Sequence, residues 1–384
     1  MTPVVAARNA VATSFVLNGL VFASLVSRIP DLRDRLGLGN GALGTLLLAM
    51  ACGSLLALPA SGQIIERLGA AATVRGGVLT STAGLLVVAS GGTLGLVPLA
   101  GAGLFVLGMG VGVWDVAMNV EAAEVESRLA RTVMPRFHAA WSLGSISGAG
   151  VGVAVLAAHV PLLAHHVVAA LVVAAAGWRS TAWFLEAEAE ESDAAEQPRR
   201  SPWREPRTLA LGLMVLCFAM VEGTANDWLS LALIDGYDVE DWVGVAGFAL
   251  FVAAMTVGRL GGPVLLDRWG RPPVLWASAA LAALGAALTV LGGSPALVVP
   301  GILCWGLGAA LGFPVGMSAA ADGPRAAARV SAVATIGYGA FLAGPPLLGH
   351  LGDRVGTLEV LLVVPLLMLP ASVSVLSARR PAPT

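Results

Sequence analysis

Apolar runs of about 20 residues, separated by short polar turns, occupy almost the whole chain. A helix rises about 1.5 Å per residue, so each run matches the roughly 30 Å hydrocarbon core of a bilayer. Reading the runs against their breakers predicts twelve spans. In the first half their limits are about 10–27, 41–64, 73–91, 95–118, 137–158 and 162–184. In the second half they are about 208–234, 242–265, 274–292, 297–320, 330–350 and 357–377. Twelve spans take about 240 of the 384 residues and leave about 12 for each connection, enough for short loops. With 57% hydrophobic and only 12% charged residues, against about 25% charged in soluble domains, a soluble enzyme is excluded. Unbroken runs also argue against a porin-like barrel, whose strands alternate over about ten residues. The expected fold class is therefore an all-α membrane protein.

The charges set its orientation and organisation. All 22 basic residues are arginine, which fits a compositional bias toward Ala, Gly, Val, Leu and Arg. With the N-terminus inside, 17 arginines fall on the cytoplasmic side, four (Arg28, Arg33, Arg35 and Arg354) fall outside, and Arg259 lies within a span. Positive-inside placement thus predicts a multi-pass protein with both termini cytoplasmic. The outer loop Asp235–Asp241 carries only acidic charges, as that orientation requires. An acidic stretch followed by Pro and Arg, 186–207, reads as a cytoplasmic linker between bundles at 1–185 and 208–384.

The halves repeat. Gly103, Gly108 and Gly110 in the fourth span recur as Gly301, Gly306 and Gly308 in the tenth, 198 residues later. Glu66-Arg67-Leu68-Gly69 recurs as Asp267-Arg268-Trp269-Gly270, 201 residues later. Equivalent spans match in the same order, so two parallel, pseudo-symmetric six-helix bundles are expected.

At these residues the chain resembles the major facilitator superfamily. Its 2–3 loop signature, G-x-x-x-D-R-x-G-R-[KR], is matched by Gly62, Glu66, Arg67 and Gly69, with Ala70 and Ala71 in place of the final basic pair. The 8–9 loop supplies Asp267, Arg268, Gly270 and Arg271, with Pro263 at the leading glycine position. The resemblance implies that both loops act as latches holding one access state. Gly110-Val-Gly-Val-Trp-Asp115-Val-Ala-Met-Asn119 is similar to the G-x-G-x-x-E-x-A-x-N segment of the fucose-permease-like branch of proton-linked sugar symporters. Phe137-His138-Ala-Ala-Trp141-Ser142-Leu-Gly144 is similar to the start of that branch's fifth span. Its first-span acid has no counterpart here: 14–27 contains Asn18 but no carboxylate.

Charges inside spans cost at least about 2.5–3.5 kcal/mol each, so each requires a reason. Asp115 and Asn119 lie at i, i+4 on one helix face, as do Glu222 and Asn226. An intermittently wetted carboxylate loads and releases protons, which makes Asp115 and Glu222 the expected proton-coupling acids. Asn18, Asn119, His138, Trp141, Ser142, Asn226, Asp227 and Tyr338 form the expected substrate lining, a polar and aromatic set suited to a sugar-like solute. Trp305 and Phe313 are expected to pack. Arg259 is expected near the inner end of its span, snorkelling or pairing with Asp267 in a latch role rather than binding substrate, and the His165-His166 pair in an outer-loop feature.

Absences narrow the field. With no lysine there is no Walker G-x-x-x-x-G-K-[ST] segment, so ATP does not drive transport within this chain. The three cysteines and five histidines show no metal-ligand spacing, and no cofactor or metal is called for. A net charge of −2 gives no reason to expect nucleic acid. The N-terminal apolar run reads as the first span rather than a cleaved signal. The expected function is thus secondary active transport, not enzymatic catalysis, by a monomer whose partners are a small-molecule substrate, protons and the lipid bilayer. The alternatives are proton-antiport efflux of amphipathic drugs or metabolites, or a non-transporting membrane sensor.

Overall fold

Long apolar stretches become long helices because, in lipid, only intrahelical bonds satisfy the backbone. The computed structural model describes residues 3–38, 40–185, 201–239, 241–323 and 325–380. Most of the expected linker, 186–200, lies outside the described residues. In the first half these form α1 (Pro3–Val26), α2 (Ile29–Leu36), α3 (Asn40–Leu94), α4 (Val97–Leu129), α5 (Met134–Ala157) and α6 (Leu162–Ser180). The second half holds α7 (Pro206–Tyr237), α8 (Asp241–Trp269), α9 (Arg271–Leu291), α10 (Pro295–Ala309), α11 (Gly312–Ala320), α12 (Ala326–Val355) and α13 (Val363–Ser374). No strand occurs among the described residues.

Twelve membrane passages are accounted for once three irregularities are read correctly. The helix α3 is two passages joined at Gly69, where φ is 79°. The tenth passage is α10 plus α11, interrupted at Ala310 and Leu311. The last is α13 with its flanking 3-10 turns. The short α2 is an additional helix between the first two passages, carrying Asp31 and Arg35.

The described chain divides into two compact units, Met1–Ala130 with Phe137–Arg200, and Arg131–Arg136 with Ser201–Thr384. Inside each unit the repeated glycines do the same work. A Cβ on Gly108 would meet the Met50 carbonyl oxygen at 1.9 Å; on Gly103 it would meet the Val88 nitrogen at 2.4 Å, and on Gly110 the Ser81 nitrogen at 2.4 Å. In the second unit, Gly306 faces the Phe251 carbonyl oxygen at 2.4 Å, Gly301 the Thr289 nitrogen at 2.8 Å, and Gly308 the Ala282 nitrogen at 2.3 Å. Each partner in the second unit stands 201 residues after its equivalent in the first. Thus α4 and α10 each press backbone against backbone on two neighbouring passages, the close approach that small residues permit in membranes. Other glycines are unconstrained: at Gly76 and Gly261 an added Cβ meets nothing within 4 Å.

Gly69 and Gly270 are glycines for another reason. Their φ values, 79° and 75°, lie in the left-handed region where a side chain is strained. Each reverses the chain between two passages, and each closes its copy of the acid–Arg signature.

Candidate functional site

In the first unit, the polar residues inside α1, α4 and α5 form several buried hydrogen-bonded strings. Asp115 is 6% exposed, His138 8%, Asn18 2% and Asn119 fully buried. The Asn119 side chain fixes the directions: its Nδ2 donates to the Asp115 backbone oxygen at 2.8 Å and to Asp115 Oδ1 at 3.3 Å. Its Oδ1 therefore faces His138 Nε2, 3.2 Å away, which assigns the His138 proton to Nε2. Carboxylate, amide and imidazole are thus joined in a row from α4 to α5.

A second string runs beside it. Trp141 Nε1 donates to Asn18 Oδ1 at 2.9 Å, and the Phe22 ring lies 5.7 Å from that of Trp141. Trp114 Nε1 donates to Ser14 Oγ at 2.8 Å, a separate buried pair between α4 and α1 that the sequence did not single out. Ser142 is buried, but its hydroxyl donates to the His138 backbone oxygen at 3.2 Å, within its own helix.

The second unit is organised differently. Arg259 on α8 pairs with Glu222 on α7, Nη2 to Oε2 at 2.8 Å, with side chains 4% and 14% exposed. Its Nε donates to the Ala310 carbonyl oxygen at 3.4 Å, where the tenth passage is interrupted. The expected Arg259–Asp267 pair does not form. Eight residues along one helix separate them by about 12 Å, and the neighbouring α7 brings a carboxylate much closer. Asn226 and Asp227 are exposed on α7, and Asp227 forms no hydrogen bond or ion pair among the described residues. Tyr338 lies edge-on to Phe313 and Phe341, with centroids 6.4 and 5.9 Å away. Trp305, expected to pack, is fully buried against Phe251.

The two signature loops also differ. Gly62 is buried, whereas Glu66 and Arg67 stand exposed and form no hydrogen bond or ion pair among the described residues. In the second loop Asp267 accepts the Thr132 backbone N–H at 3.1 Å, and Arg268 lies over the Trp269 ring. Arg271 is the residue with strong partners: it reaches Asp322 at 2.6 Å and donates to Ser318 Oγ at 2.8 Å. Asp322, which also takes Arg207 at 2.9 Å, was not singled out in the sequence. Its signal was available: an acid just after the tenth passage, next to Arg325 and Arg329.

Glu205, just before α7, ties the start of the second unit to α12. Its carboxylate accepts from Arg325, from Arg329 Nε at 2.8 Å and from Thr208 Oγ1 at 3.0 Å. Burial pushes its pKa up, but the bonds from Arg329 and Thr208 and the charges of Arg329 and Arg325 outweigh that and hold it below the ordinary carboxylate value. A carboxyl whose pKa falls on folding stabilises the fold above its unfolded pKa and loses that contribution as pH falls through the lowered value. Glu205→Gln therefore lowers the unfolding temperature in detergent at pH 7 by roughly 2–4 °C. That difference shrinks toward zero as both proteins are acidified below the carboxylate range. An equal difference at acid pH would show that Glu205 acts by shape rather than charge.

Comparison with known proteins covers nearly the whole chain. Residues 11–345 match the family model described as Major Facilitator Superfamily. A transporter of Sinorhizobium fredii, y4wD, is 33% identical over 352 residues, 89% of this chain and 90% of that protein. An MFS-type transporter of Yersinia pestis is 30% identical over 375 residues, 96% and 94% of the two chains. Among solved structures, the outward-facing transporter FucP superposes with a TM-score of 0.80 at 13% identity, covering 99% of this chain and 100% of that one. The human organic anion transporter MFSD10 gives 0.78 at 17% identity, over 98% and 100%.

Proposed function

Because the chain belongs to the Major Facilitator Superfamily and is a multi-pass membrane transporter rather than an enzyme, we propose that it is a proton-coupled secondary transporter of a small polar or sugar-like solute. The solute site opens to each side of the membrane in turn, and a proton gradient biases the cycle. The observation that carries this reading is the buried row Asp115–Asn119–His138. A carboxylate kept in the interior of a membrane protein is costly, and one that takes up and releases a proton as its access alternates couples the gradient to transport. Asn119 orients it by hydrogen bonding, and His138 in turn holds the amide. Beside it, Asn18 and Trp141 offer an amide and an indole face, groups that suit a hydroxylated solute. Glu222, held by Arg259, is the second coupling acid in this reading, and Arg271 with Asp322 is the working part of the loop latch. We place the protein, as a monomer, in a bacterial inner membrane with both termini cytoplasmic. The structural neighbour described as a fucose:proton symporter has the same fold and supports the choice of solute class.

The ten tryptophans make a direct test practical. Quenching of intrinsic fluorescence in the purified protein is followed for sugars, nucleosides and drug-like cations between pH 5 and pH 8. A sugar or nucleoside is expected to quench with an affinity that changes about tenfold or more across that range, one pH unit being worth about 1.4 kcal/mol per proton. Quenching by amphipathic cations alone would turn the reading into antiport efflux. Binding that is independent of pH would remove the proton.

A further inference from the structure

Beyond the transport reading, we propose that the first unit carries an oxyanion site at the end where α1 leaves and α6 begins, built by Arg28, His165 and His166. The sequence put the two histidines in an outer-loop feature; they lie instead in the first turns of α6, 5% and 1% exposed. Arg28, between α1 and α2, is 2% exposed. Its Nη2 donates to Asp31 Oδ2 at 2.7 Å and to the Val160 carbonyl oxygen at 2.9 Å. The second bond fixes the guanidinium beside the N-terminal turn of α6.

What this cluster lacks is partners. Among the described residues, Arg28 Nε and Nη1 have no hydrogen-bond partner, although both are buried. Neither nitrogen of His165 has a partner among them; His166 donates its Nδ1–H to the Leu162 carbonyl oxygen at 2.8 Å, which leaves Nε2 of the neutral ring as an unpartnered acceptor. The two imidazole centroids are 5.1 Å apart. The charge of Arg28 acts on both rings and that of Asp31 on His166, so the groups share one electrostatic neighbourhood. Two guanidiniums, Arg28 and Arg35, share the single carboxylate of Asp31. Guanidinium charge and guanidinium N–H donors outnumber the carboxylate that meets them, and a helix N-terminus adds N–H donors and positive potential.

Buried donors without partners are rare and call for an occupant. A neutral water satisfies a donor but leaves the positive charge uncompensated. A phosphate-like oxyanion answers both: its oxygens accept from the Arg28 guanidinium and from the imidazole N–H of His165, and a protonated phosphate oxygen donates to His166 Nε2. Under the arginine-derived orientation this end faces outward. The anion is therefore either free in the outer medium or the phosphate of an outer-leaflet lipid.

The test uses the full chain in lipid-free detergent and reads its apparent unfolding temperature. In one arm sodium phosphate is titrated at constant ionic strength against sodium chloride. In the other, phosphatidylglycerol is added without phosphate. Saturating anion is expected to raise the unfolding temperature by about 2–4 °C. His165→Leu removes two of the unpartnered nitrogens without touching either bond made by Arg28, and should weaken the midpoint at least about fivefold. Gly76→Ala, outside the cluster, should leave the shift intact. Arg28→Gln is informative only if it folds, because Arg28 also holds Asp31; His165→Leu keeps the question decidable. A response to phosphate supports a site for a free anion, and a response to the lipid alone supports a headgroup site. If neither exceeds the chloride control, or if His165→Leu responds as the native protein does, the proposal fails.

Discussion

Asp115→Asn is expected to abolish accumulation of solute driven by a pH difference while leaving exchange of solute across the membrane intact. The substitution keeps the shape and the acceptor. The oxygen of the introduced amide still receives the Asn119 Nδ2–H, as the Asp115 carboxylate does at 3.3 Å, and the backbone bond at 2.8 Å is untouched. Only the ability to take up and release a proton is lost. A gradient of one pH unit supplies about 1.4 kcal/mol for each proton moved, which sustains about a tenfold concentration ratio when one proton accompanies one solute. In proteoliposomes with such a gradient, the native protein should approach that ratio and the variant should stop at unity. Counterflow, which needs binding and reorientation but no net proton movement, should stay within about twofold of native, because uniform binding is retained. Accumulation above unity by the variant would mean that Asp115 is not the coupling acid.

The second large effect concerns Arg259 and Glu222. Removing one member of a buried pair strands the other charge, at a cost of about 3–5 kcal/mol. Arg259→Gln and Glu222→Gln are therefore each expected to lower yield and unfolding temperature sharply, Arg259→Gln more so, because it leaves the carboxylate on α7 alone and also releases the Ala310 carbonyl oxygen. The double variant Glu222→Gln/Arg259→Gln removes both charges and should recover most of that stability, a coupling that a double-mutant cycle reads directly. Its transport distinguishes the two roles of the pair. If Glu222 carries protons, the restored double variant binds solute but accumulates it poorly. Full accumulation by the double variant would reduce the pair to a structural tie between α7, α8 and the tenth passage.

Much of the architecture follows from one-dimensional patterns. Hydrophobic run length finds the passages, because bilayer thickness sets it. Repeated glycines find the equivalent passages, because backbone contact leaves no room for a side chain. Asp115, Asn119 and His138 are recognisable as a group because their helical spacing and their resemblance to one family branch coincide. Partner choice is less legible. Nothing in the order of residues says that Arg259 faces α7 rather than continuing toward Asp267, since the face that meets a neighbour depends on packing of several helices at once. The same reason hides Asp322 behind Arg271 and Arg207, and Arg28 beside His165 and His166. The interruption at Ala310 and Leu311 is equally silent in hydropathy, for both residues are as apolar as their neighbours. Just past it, Gly312, which opens α11, lies against Phe218, where a Cβ would come within 1.9 Å of the ring carbon Cγ, so that position admits no side chain.

The glycine contacts also divide the chain into places where chemistry can and cannot be attached. Gly76 on α3 and Gly261 on α8 sit in the same two units as the crowded glycines, yet each has open space where a side chain would begin. A cysteine at either position offers a thiol for a spin label or fluorophore without prising helices apart. Of the native thiols, Cys52 is exposed and would have to be replaced first, while Cys217 is buried. A doubly labelled protein would turn the reorientation of a transport cycle into a distance measured in real time.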